Sequence, residues 1–459
     1  MRIQSKYKNI AERLFFIGIL LTIALLPFDR WAGHIGPLSL PLLSFIFLIP
    51  HPLIRLFERP RRLLLCLPLL LILCAAILSL INAISVQVSA NATVLLGILI
   101  IKACFIILGV LPRHLPKIEN VFLGISSIAI VFGYYQFIGD LMNLPPSLTG
   151  LLPQYSSTGT YIFPRIQSFA QEPLYLANFL LLPISILLAQ LVRFGRLPIR
   201  LYLLLVLAVI AIFLTGSRGG LIGLTAVVAG VLIILVRKSS RFTKLAFPVA
   251  IALLSVALSI GVLAYNYSQS HGIEDVAGIP RTYSQSLTHI FNFNDRSANT
   301  RYEVWPLAVD AFTSSPYTGV GLYGSRLFLH KDDFTRGVPV GNLQPLNNDY
   351  LALFSELGGI GVLLLLPFIL ILTRLVWRAI SKPGISTPYA LMLIGMAIQA
   401  ATFQSILLLR VWVVVALLVA TAEMESDVRH KPKAGQTKLD GRGFKQHVNN
   451  KRSILITSN

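Results

Sequence analysis

Residues 201–236 read LYLLLVLAVIAIFLTGSRGGLIGLTAVVAGVLIILV. Two apolar runs flank a short turn of small residues that contains one arginine, Arg218. A helix needs about 20 predominantly apolar residues to cross a bilayer. The stretch therefore predicts two membrane-spanning helices, 201–216 and 219–236, with a permanent charge in the turn between them.

The whole chain repeats this pattern. It has 459 residues, of which 55% are hydrophobic and 13% are charged, against about 25% charged in soluble domains. The composition predicts an all-α polytopic membrane protein with about twelve transmembrane helices. The predicted spans are 12–28, 36–54, 64–84, 92–111, 121–138, 173–192, 201–216, 219–236, 245–264, 350–373, 387–404 and 407–424.

The net charge of +20 follows the predicted topology. Most lysines and arginines fall in alternate loops, as expected for loops on the cytoplasmic side of a membrane. This distribution accounts for the charge without nucleic acid as a partner. It predicts cytoplasmic N- and C-termini.

Four regions follow from the spans. Residues 1–264 hold helices 1–9, with an outer loop at about 139–172. Residues 265–349 form a large, partly helical periplasmic loop, and residues 350–424 hold helices 10–12. Residues 425–459 form a basic, disordered cytoplasmic tail that can rest on anionic membrane lipids. Loops as long as the second outer one usually carry function.

Arg218 falls at the outer end of its helix in this topology. Gly219 and Gly220 are expected to let the backbone turn and to let another group approach closely. Ser217 adds a hydroxyl group. A guanidinium binds phosphate with two parallel hydrogen bonds, so we predict an anion site here. The alternative is an arginine whose stem lies in the membrane while its head reaches the interface.

A second motif, NTRYEVWPLAVDAFTSSPYTGVGLYGS, spans residues 299–325. Thr300 and Glu303 fit a capping box, which predicts a helix start. Arg301 would then lie in the first turn, where the positive helix end favours an anion. The alternative is an ion pair of Arg301 with Glu303 or Asp295. Four residues at helical spacing predict a face packed on the membrane domain: Tyr302, Trp305, Val309 and Phe312.

A third motif, PLNNDYLALFSELGGIG, spans residues 345–361. Asn347 or Asn348 suits a helix N-cap and Asp349 suits the first turn. A capped helix entering the membrane explains these three residues without chemistry. Glu356 falls in an otherwise apolar helix and needs a partner.

Two further outer arginines are candidates for substrate binding. Arg165 lies just before the sixth span, with an ion pair to Glu172 as the alternative role. Arg410 lies near the start of the last span.

These motifs occur in an order that resembles the O-antigen ligase and O-antigen polymerase family of bacterial envelope glycosyltransferases. The matching pieces are TGSRGG at 215–220, TRYEVWPLAVDAFTSSPYTGVGLYG at 300–324 and NNDYLALFSELGGIG at 347–361. The resemblance covers about residues 160–420.

The resemblance implies about twelve helices with a periplasmic loop partly covering a cavity. It implies transfer of glycan from an undecaprenyl-diphosphate carrier onto an acceptor glycan or glycolipid, in the bacterial inner membrane and on its periplasmic side. It implies no cofactor and no metal. The family's diphosphate-binding arginines match Arg218 and Arg301.

This chain differs from the family at the start of the third motif. Ligases commonly carry His-Asn at the start of the third motif, and that histidine is proposed to activate the acceptor. This chain has Asn347 there, and asparagine is not a general base at neutral pH. Asp349, Glu172 and His330 are the outer candidates for a base; alternatively, no strong base is needed if the diphosphate leaves early. The stretch RIQSFAQEP before the sixth span looks more like the polymerase and exopolysaccharide branch.

The sequence thus favours a polymerase of lipid-linked oligosaccharide repeats, with a chain-length regulator as a further partner. Its rivals are an O-antigen ligase acting on lipid A core, a transporter or flippase for lipid-linked sugars, and a peptidoglycan-type polymerase with an acidic residue in the large loop. The predicted catalytic residues are Arg218, Arg301, Asp349 and Glu172. The predicted substrate-binding residues are Arg165, Asn347, Asn348, Ser217 and Arg410.

Overall fold

The computed structural model describes residues 2–28, 34–35, 38–39, 44–58, 60–156, 164–237, 296–340, 343 and 345–430. This part is helical, apart from a hairpin in which β1 (His34–Ile35) pairs antiparallel with β2 (Leu38–Ser39). The first helices are α1 (Arg2–Leu25), α2 (Pro50–Glu58), α3 (Leu67–Leu78), α4 (Val86–Gly109), α5 (Leu115–Leu141), α6 (Pro146–Thr149), α7 (Pro173–Phe194), α8 (Ile199–Leu214) and α9 (Arg218–Arg237). The later helices are α10 (Arg296–Ser314), α11 (Gly324–Leu329), α12 (Lys331–Thr335), α13 (Asp349–Ser381), α14 (Thr387–Gln399) and α15 (Leu409–His430). Short 3-10 helices cover Ser44–Leu48, Pro60–Leu65, Ser79–Asn82, Pro112–His114 and Pro153–Tyr155.

The described helices include several that suit a bilayer. Five are long and apolar enough to cross it: Val86–Gly109, Pro112–Leu141, Pro173–Phe194, Arg218–Arg237 and Asp349–Ser381. Four shorter apolar helices are Ile46–Leu56, Leu67–Asn82, Ile199–Leu214 and Thr387–Gln399. The prediction of an all-helical membrane protein is confirmed at this level, and the count of twelve spans stays a prediction. The predicted span 245–264 lies outside the described residues.

Three sequence-based boundaries were wrong. The predicted span 36–54 is not one helix, because its described part contains β2, the 3-10 helix Ser44–Leu48 and the start of α2. The helix of the second motif begins at Arg296, before the proposed capping box. The last helix extends to His430, past the predicted start of the tail at Glu425, where the Ser386 amide and hydroxyl hydrogen-bond the Glu425 carboxylate. Residues 431–459 of the tail lie outside the described residues.

Contacts between helix ends place the first and third motifs at one end of the bundle. The Ile166 amide donates to the Leu214 carbonyl at 3.0 Å, so the start of α7 lies beside the end of α8. The Asp349 amide donates to the Ala400 carbonyl at 2.8 Å, so the start of α13 lies beside the end of α14. We call the end formed by residues 164–172, 215–218, 345–349 and 399–410 the motif end.

Basic segments gather at the opposite end. Arg237 Nη1 donates to Ser381 Oγ at 2.7 Å, and Arg62 Nε donates to Glu423 Oε1 at 3.0 Å. Arg113 and Glu12 also form an ion pair between two segments that the sequence places on the cytoplasmic side. The grouping agrees with the predicted alternation of basic loops, while the side of the membrane that each end faces stays a prediction.

A kink in α13 links the second and third motifs. At Gly358 the backbone has φ 65° and ψ −175°, which is not helical. In a regular helix Gly359 and Ile360 would donate to the carbonyls four residues earlier. Here they donate instead to Pro316 and Tyr317, at 2.8 and 3.0 Å.

The carbonyls released by the kink find partners in the same segment. The Ser355 carbonyl accepts from the Val320 amide and the Glu356 carbonyl accepts from the Gly321 amide, both at 3.1 Å. Residues 316–321 therefore complete the backbone hydrogen bonding of the broken helix. Unsatisfied backbone groups in a membrane domain cost several kcal/mol each, so the two motifs stabilise each other.

Candidate functional site

The turn before α9 is built by Gly216 and Ser217. Gly216 has φ +59°, a conformation that favours glycine. Ser217 Oγ accepts a hydrogen bond from the Gly220 amide at 3.1 Å, so this side chain caps the helix. Arg218 is the first residue of α9 and is half-buried. A guanidinium at a helix N-terminus creates a setting that favours an anion.

The roles expected for Gly219 and Gly220 need correction. Neither makes the turn, because both lie inside the first turn of α9. A Cβ atom on Gly220 would lie 2.5 Å from the Ala177 Cβ of α7, and one on Gly219 would lie 2.7 Å from Thr402 Oγ1. The groups that approach these glycines closely are therefore other helices of this chain, as small residues permit in membrane proteins.

We expect Gly220→Ala to lower the thermal stability of the protein. The added methyl group must displace α7 or α9, and such overpacking costs about 1–3 kcal/mol. The measurement is the melting temperature of detergent-solubilised protein. Gly97→Ala is the matched control, since a Cβ there meets Leu73 only at 3.4 Å. Equal melting temperatures for the two variants would contradict the packing role of Gly220.

Arg165 lies against the same turn. Its Nε donates to the Thr215 carbonyl at 3.0 Å, and its guanidinium carbon lies 5.7 Å from the centre of the Tyr155 ring. A Cβ on Gly216 would lie 2.9 Å from Arg165 Nε. The fold therefore brings Arg165 next to the segment that carries Arg218.

Arg410 is buried, with 2% of its surface exposed, at the start of α15. Its Nη1 donates to the Tyr175 carbonyl at 2.6 Å, and its guanidinium carbon lies 5.6 Å from the centre of the Tyr175 ring. Tyr175 belongs to the first turn of α7. The exposed Glu172 directly precedes this helix. Arg410 thus joins the starts of two helices, and Glu172 is an exposed residue beside them at the motif end.

The third motif begins with a capped helix. Asn348 Oδ1 accepts from the amides of Tyr350 and Leu351 at 3.0 and 3.1 Å, which assigns the cap to Asn348. Asn347 has φ +54°, a left-handed conformation that asparagine tolerates. It is half-buried. These hydrogen bonds identify Asn348, and not Asn347, as the N-cap residue.

Both acidic residues of this motif are buried and accept hydrogen bonds. Asp349 Oδ2 accepts from the Ser405 amide at 2.8 Å and from Ser405 Oγ at 2.7 Å. Asp349 Oδ1 accepts from the Ile406 amide at 3.3 Å. Glu356 accepts from Ser325 Oγ, which supplies the partner that the sequence required.

The segment around Ser325 is held in a strained form. Tyr323 has φ +61°, and the Arg326 guanidinium carbon lies 5.1 Å from the centre of its ring. Burial raises the pKa of Tyr323, while the charge of Arg326 opposes that shift. The phenol therefore stays protonated at neutral pH. His330, a predicted base, follows in the same segment with its Nδ1 3.7 Å from Asp333 Oδ2.

Helix α10 packs beside the third motif through a face that includes Phe312, as predicted, but not Val309. Ala308 forms a buried apolar cluster with Leu346 and Ala352. The rings of Phe312 and Phe354 stack with their centres 3.9 Å apart. Val309 is 48% exposed, so it does not belong to the packed face. The backbone of Arg301 lies in α10, and its side chain lies outside what the structure describes.

The sequence-based prediction missed the loop formed by residues 400–408. Phe403 meets the Tyr175 ring edge-on, with centres 4.9 Å apart, and Thr402 borders Gly219. Ser405 hydrogen-bonds Asp349. This loop therefore connects the turn before α9, the start of α7 and the third motif. Its signal was the stretch TFQS at 402–405, most of which the predicted span 387–404 had included.

The motif end thus collects most of the predicted site. The contacts above connect Arg165, Ser217, Arg218, Arg410, Asn348 and Asp349, with Glu172 and Asn347 beside them in the chain. His330 lies instead beside Asp333, which does not belong to this set. Among the described residues, no group of three or more histidine, cysteine, aspartate or glutamate residues could hold a metal ion.

Comparison with known proteins supports a family resemblance. Residues 203–366 match the family described as O-antigen ligase. This confirms the resemblance seen in the motifs, since the matched segment contains Arg218 and all of residues 300–361. An uncharacterized protein of Haemophilus influenzae is 28% identical over 176 residues, which cover 37% of this chain and 41% of that protein. The chain thus spans less than half of the relative's length. No solved structure matches it.

Proposed function

We propose that the protein is a membrane glycosyltransferase that polymerises a lipid-linked oligosaccharide repeat of an O-antigen or exopolysaccharide. The donor is a glycan on an undecaprenyl-diphosphate carrier, and the acceptor is a hydroxyl group of a second carrier-linked repeat. The observation that carries the proposal is Arg218 at the N-terminus of α9, inside the segment that matches the O-antigen ligase family.

The reaction places negative charge where the arginines lie. The acceptor oxygen forms a bond to the anomeric carbon with inversion, the bond to the diphosphate oxygen breaks, and its electron pair leaves with the diphosphate. Fixed guanidinium groups stabilise that developing charge most in a setting of low dielectric constant. Arg218 and Arg165 fit this role, with Arg301 as a third candidate. The acceptor proton leaves to Glu172, the exposed carboxylate of the motif end, or to water.

The proposed topology follows from the same geometry. The motif end faces the periplasm of the bacterial inner membrane, and the basic opposite end and both termini face the cytoplasm. Residues 265–349 form the periplasmic loop, and a chain-length regulator is a proposed partner. Ser217 and Asn348 serve this site by capping its helices.

An O-antigen ligase is the second candidate, since the matched family carries that description. Asn347 at the position of the ligase histidine favours polymerisation. Deletion of the gene separates the two: accumulated single repeats indicate a polymerase, and unattached polymer indicates a ligase that uses lipid A core.

We expect purified protein in detergent to lengthen a carrier-linked repeat without a nucleotide sugar. Each turnover moves the growing glycan onto a new repeat, so a ladder of products should appear on a gel. Protein carrying Arg218→Ala is the control and should leave single repeats. Single repeats alone with the wild-type protein would contradict the proposal and favour a transporter, which needs two compartments to act.

A further inference from the structure

Asp349 is placed to hold a loop. It is the first residue of α13 and only 5% exposed. Both of its carboxylate oxygens accept hydrogen bonds from the loop formed by residues 400–408, at Ser405 and Ile406. Its own amide donates to Ala400, which begins the loop. One aspartate therefore fixes the two halves of this loop.

The loop in turn touches the elements that carry the arginines. Thr402 borders Gly219, directly after Arg218, and Phe403 packs on Tyr175, whose carbonyl accepts from Arg410. The Ile406 carbonyl also accepts from Trp412 Nε1 at 2.6 Å, which ties the loop to the first turns of α15. Displacement of the loop would loosen all three contacts.

A general base needs an accessible lone pair within about 2.6–3.2 Å of the proton that it removes. Asp349 is buried, and its oxygens are already engaged by three donors of this chain. Glu172 is exposed at the same end. The burial and the hydrogen bonds therefore suit Asp349 for a structural connection rather than for proton transfer.

We propose that Asp349 is a positioning residue, which fixes the 400–408 loop and thereby sets the places of Arg218 and Arg410 for the carrier diphosphate. This inference rests on the proposed function for its effect on catalysis. Its effect on the loop does not depend on the reaction.

The kinetic test compares Asp349→Asn with Ser405→Ala and with the double variant. In Asp349→Asn one carboxylate oxygen becomes an NH2 group, which cannot accept, so at least one bond from Ser405 or Ile406 is lost and we expect KM for the carrier-linked donor to rise about tenfold. The pH profile of kcat should keep its acid limb. The double variant should be less impaired than the product of the two single effects. Asp310→Asn is the matched control, since Asp310 is an exposed acid on α10.

A base would give a different pattern. Its loss lowers kcat by about 10²–10⁴-fold with little change in KM, and it removes the acid limb. That result for Asp349→Asn would overturn the proposal, as would fully multiplicative effects of the Asp349 and Ser405 substitutions.

A second measurement is independent of activity. Ala401→Cys places a thiol in the loop, and its labelling by a maleimide can be measured after subtracting the parent, which contains Cys66, Cys74 and Cys104. Asp349→Asn should raise the labelling rate about tenfold or more, as expected for a loop that has lost charged hydrogen bonds, whereas Asp310→Asn should not. An unchanged rate would overturn the positioning role even if the wild-type protein showed no elongation. A raised rate without elongation would leave the loop assignment standing and reject the proposed function.

Discussion

Cells whose only copy carries Arg218→Ala are expected to accumulate single carrier-linked repeats and no long polymer. Arg218 opens α9 and follows the cap formed by Ser217, so its backbone position is fixed by the fold. Loss of one fixed group that stabilises developing negative charge lowers kcat by about 10²–10³-fold in enzymes where it has been tested. Arg218→Lys should also be poor, because a lysine is a point charge and lacks the planar pair of donors.

The control for this prediction lies on the same helix. Arg237 ends α9 at the opposite end of the bundle, where it bonds Ser381 and lies over the Trp377 ring. Arg237→Ala removes an equal charge from the C-terminal end of the same helix and should leave polymer length unchanged. Both variants should accumulate in the membrane as the wild type does. Normal polymer length in cells that contain Arg218→Ala protein would remove Arg218 from the mechanism.

The local pattern of the chain was enough to predict many helices. The predicted spans 173–192 and 219–236 correspond to Pro173–Phe194 and Arg218–Arg237. These helices are set by the length of their apolar runs and by the residues at their ends, which one sequence shows directly. The basic segments also predicted which helix ends lie together, because charge is excluded from the bilayer.

Contacts between distant segments could not be predicted in this way. The pairing of residues 316–321 with the kink of α13 depends on backbone groups, which leave no trace in hydropathy. The loop at 400–408 was hidden because a span prediction averages over many residues and ignores a short polar run. Asp349 was predicted as a candidate base because the sequence shows only that a carboxylate is present. The fold shows that Ser405 and Ile406 hydrogen-bond this carboxylate.

The same pairing explains two glycines within the second and third motifs. Gly319 has φ +74° and Gly358 has φ +65°, and each lies against the backbone of the other segment, so neither glycine has room for a side chain. In this chain the second and third motifs therefore partly reflect how residues 316–321 fit against the kink of α13. Residues 316–321 and 355–360 are expected to tolerate only substitutions that leave the backbone conformation of both segments unchanged.

Gly358→Ala is expected to disrupt this contact and to reduce strongly the amount of folded protein. The conformation at Gly358, with φ 65° and ψ −175°, is essentially restricted to glycine, and other residues there cost of order 1–3 kcal/mol in backbone strain. A Cβ would also lie 2.6 Å from the Tyr317 carbonyl oxygen, and closer still to the Gly319 amide nitrogen. The backbone must then move apart, which breaks the four hydrogen bonds that replace the helix ladder.

The measurement is the melting temperature of the solubilised protein, together with trypsin cleavage after the exposed Lys331 in the segment held by this contact. Gly124→Ala is the matched control, because it lies in α5 with no atom within 4 Å of the added Cβ. An alanine in a helix interior is favoured over glycine by about 1 kcal/mol, so this control should be at least as stable as the wild type. If Gly358→Ala melted and resisted trypsin like Gly124→Ala, the kink would not need glycine, and the pairing of the two motifs would not be what holds the loop on the membrane domain.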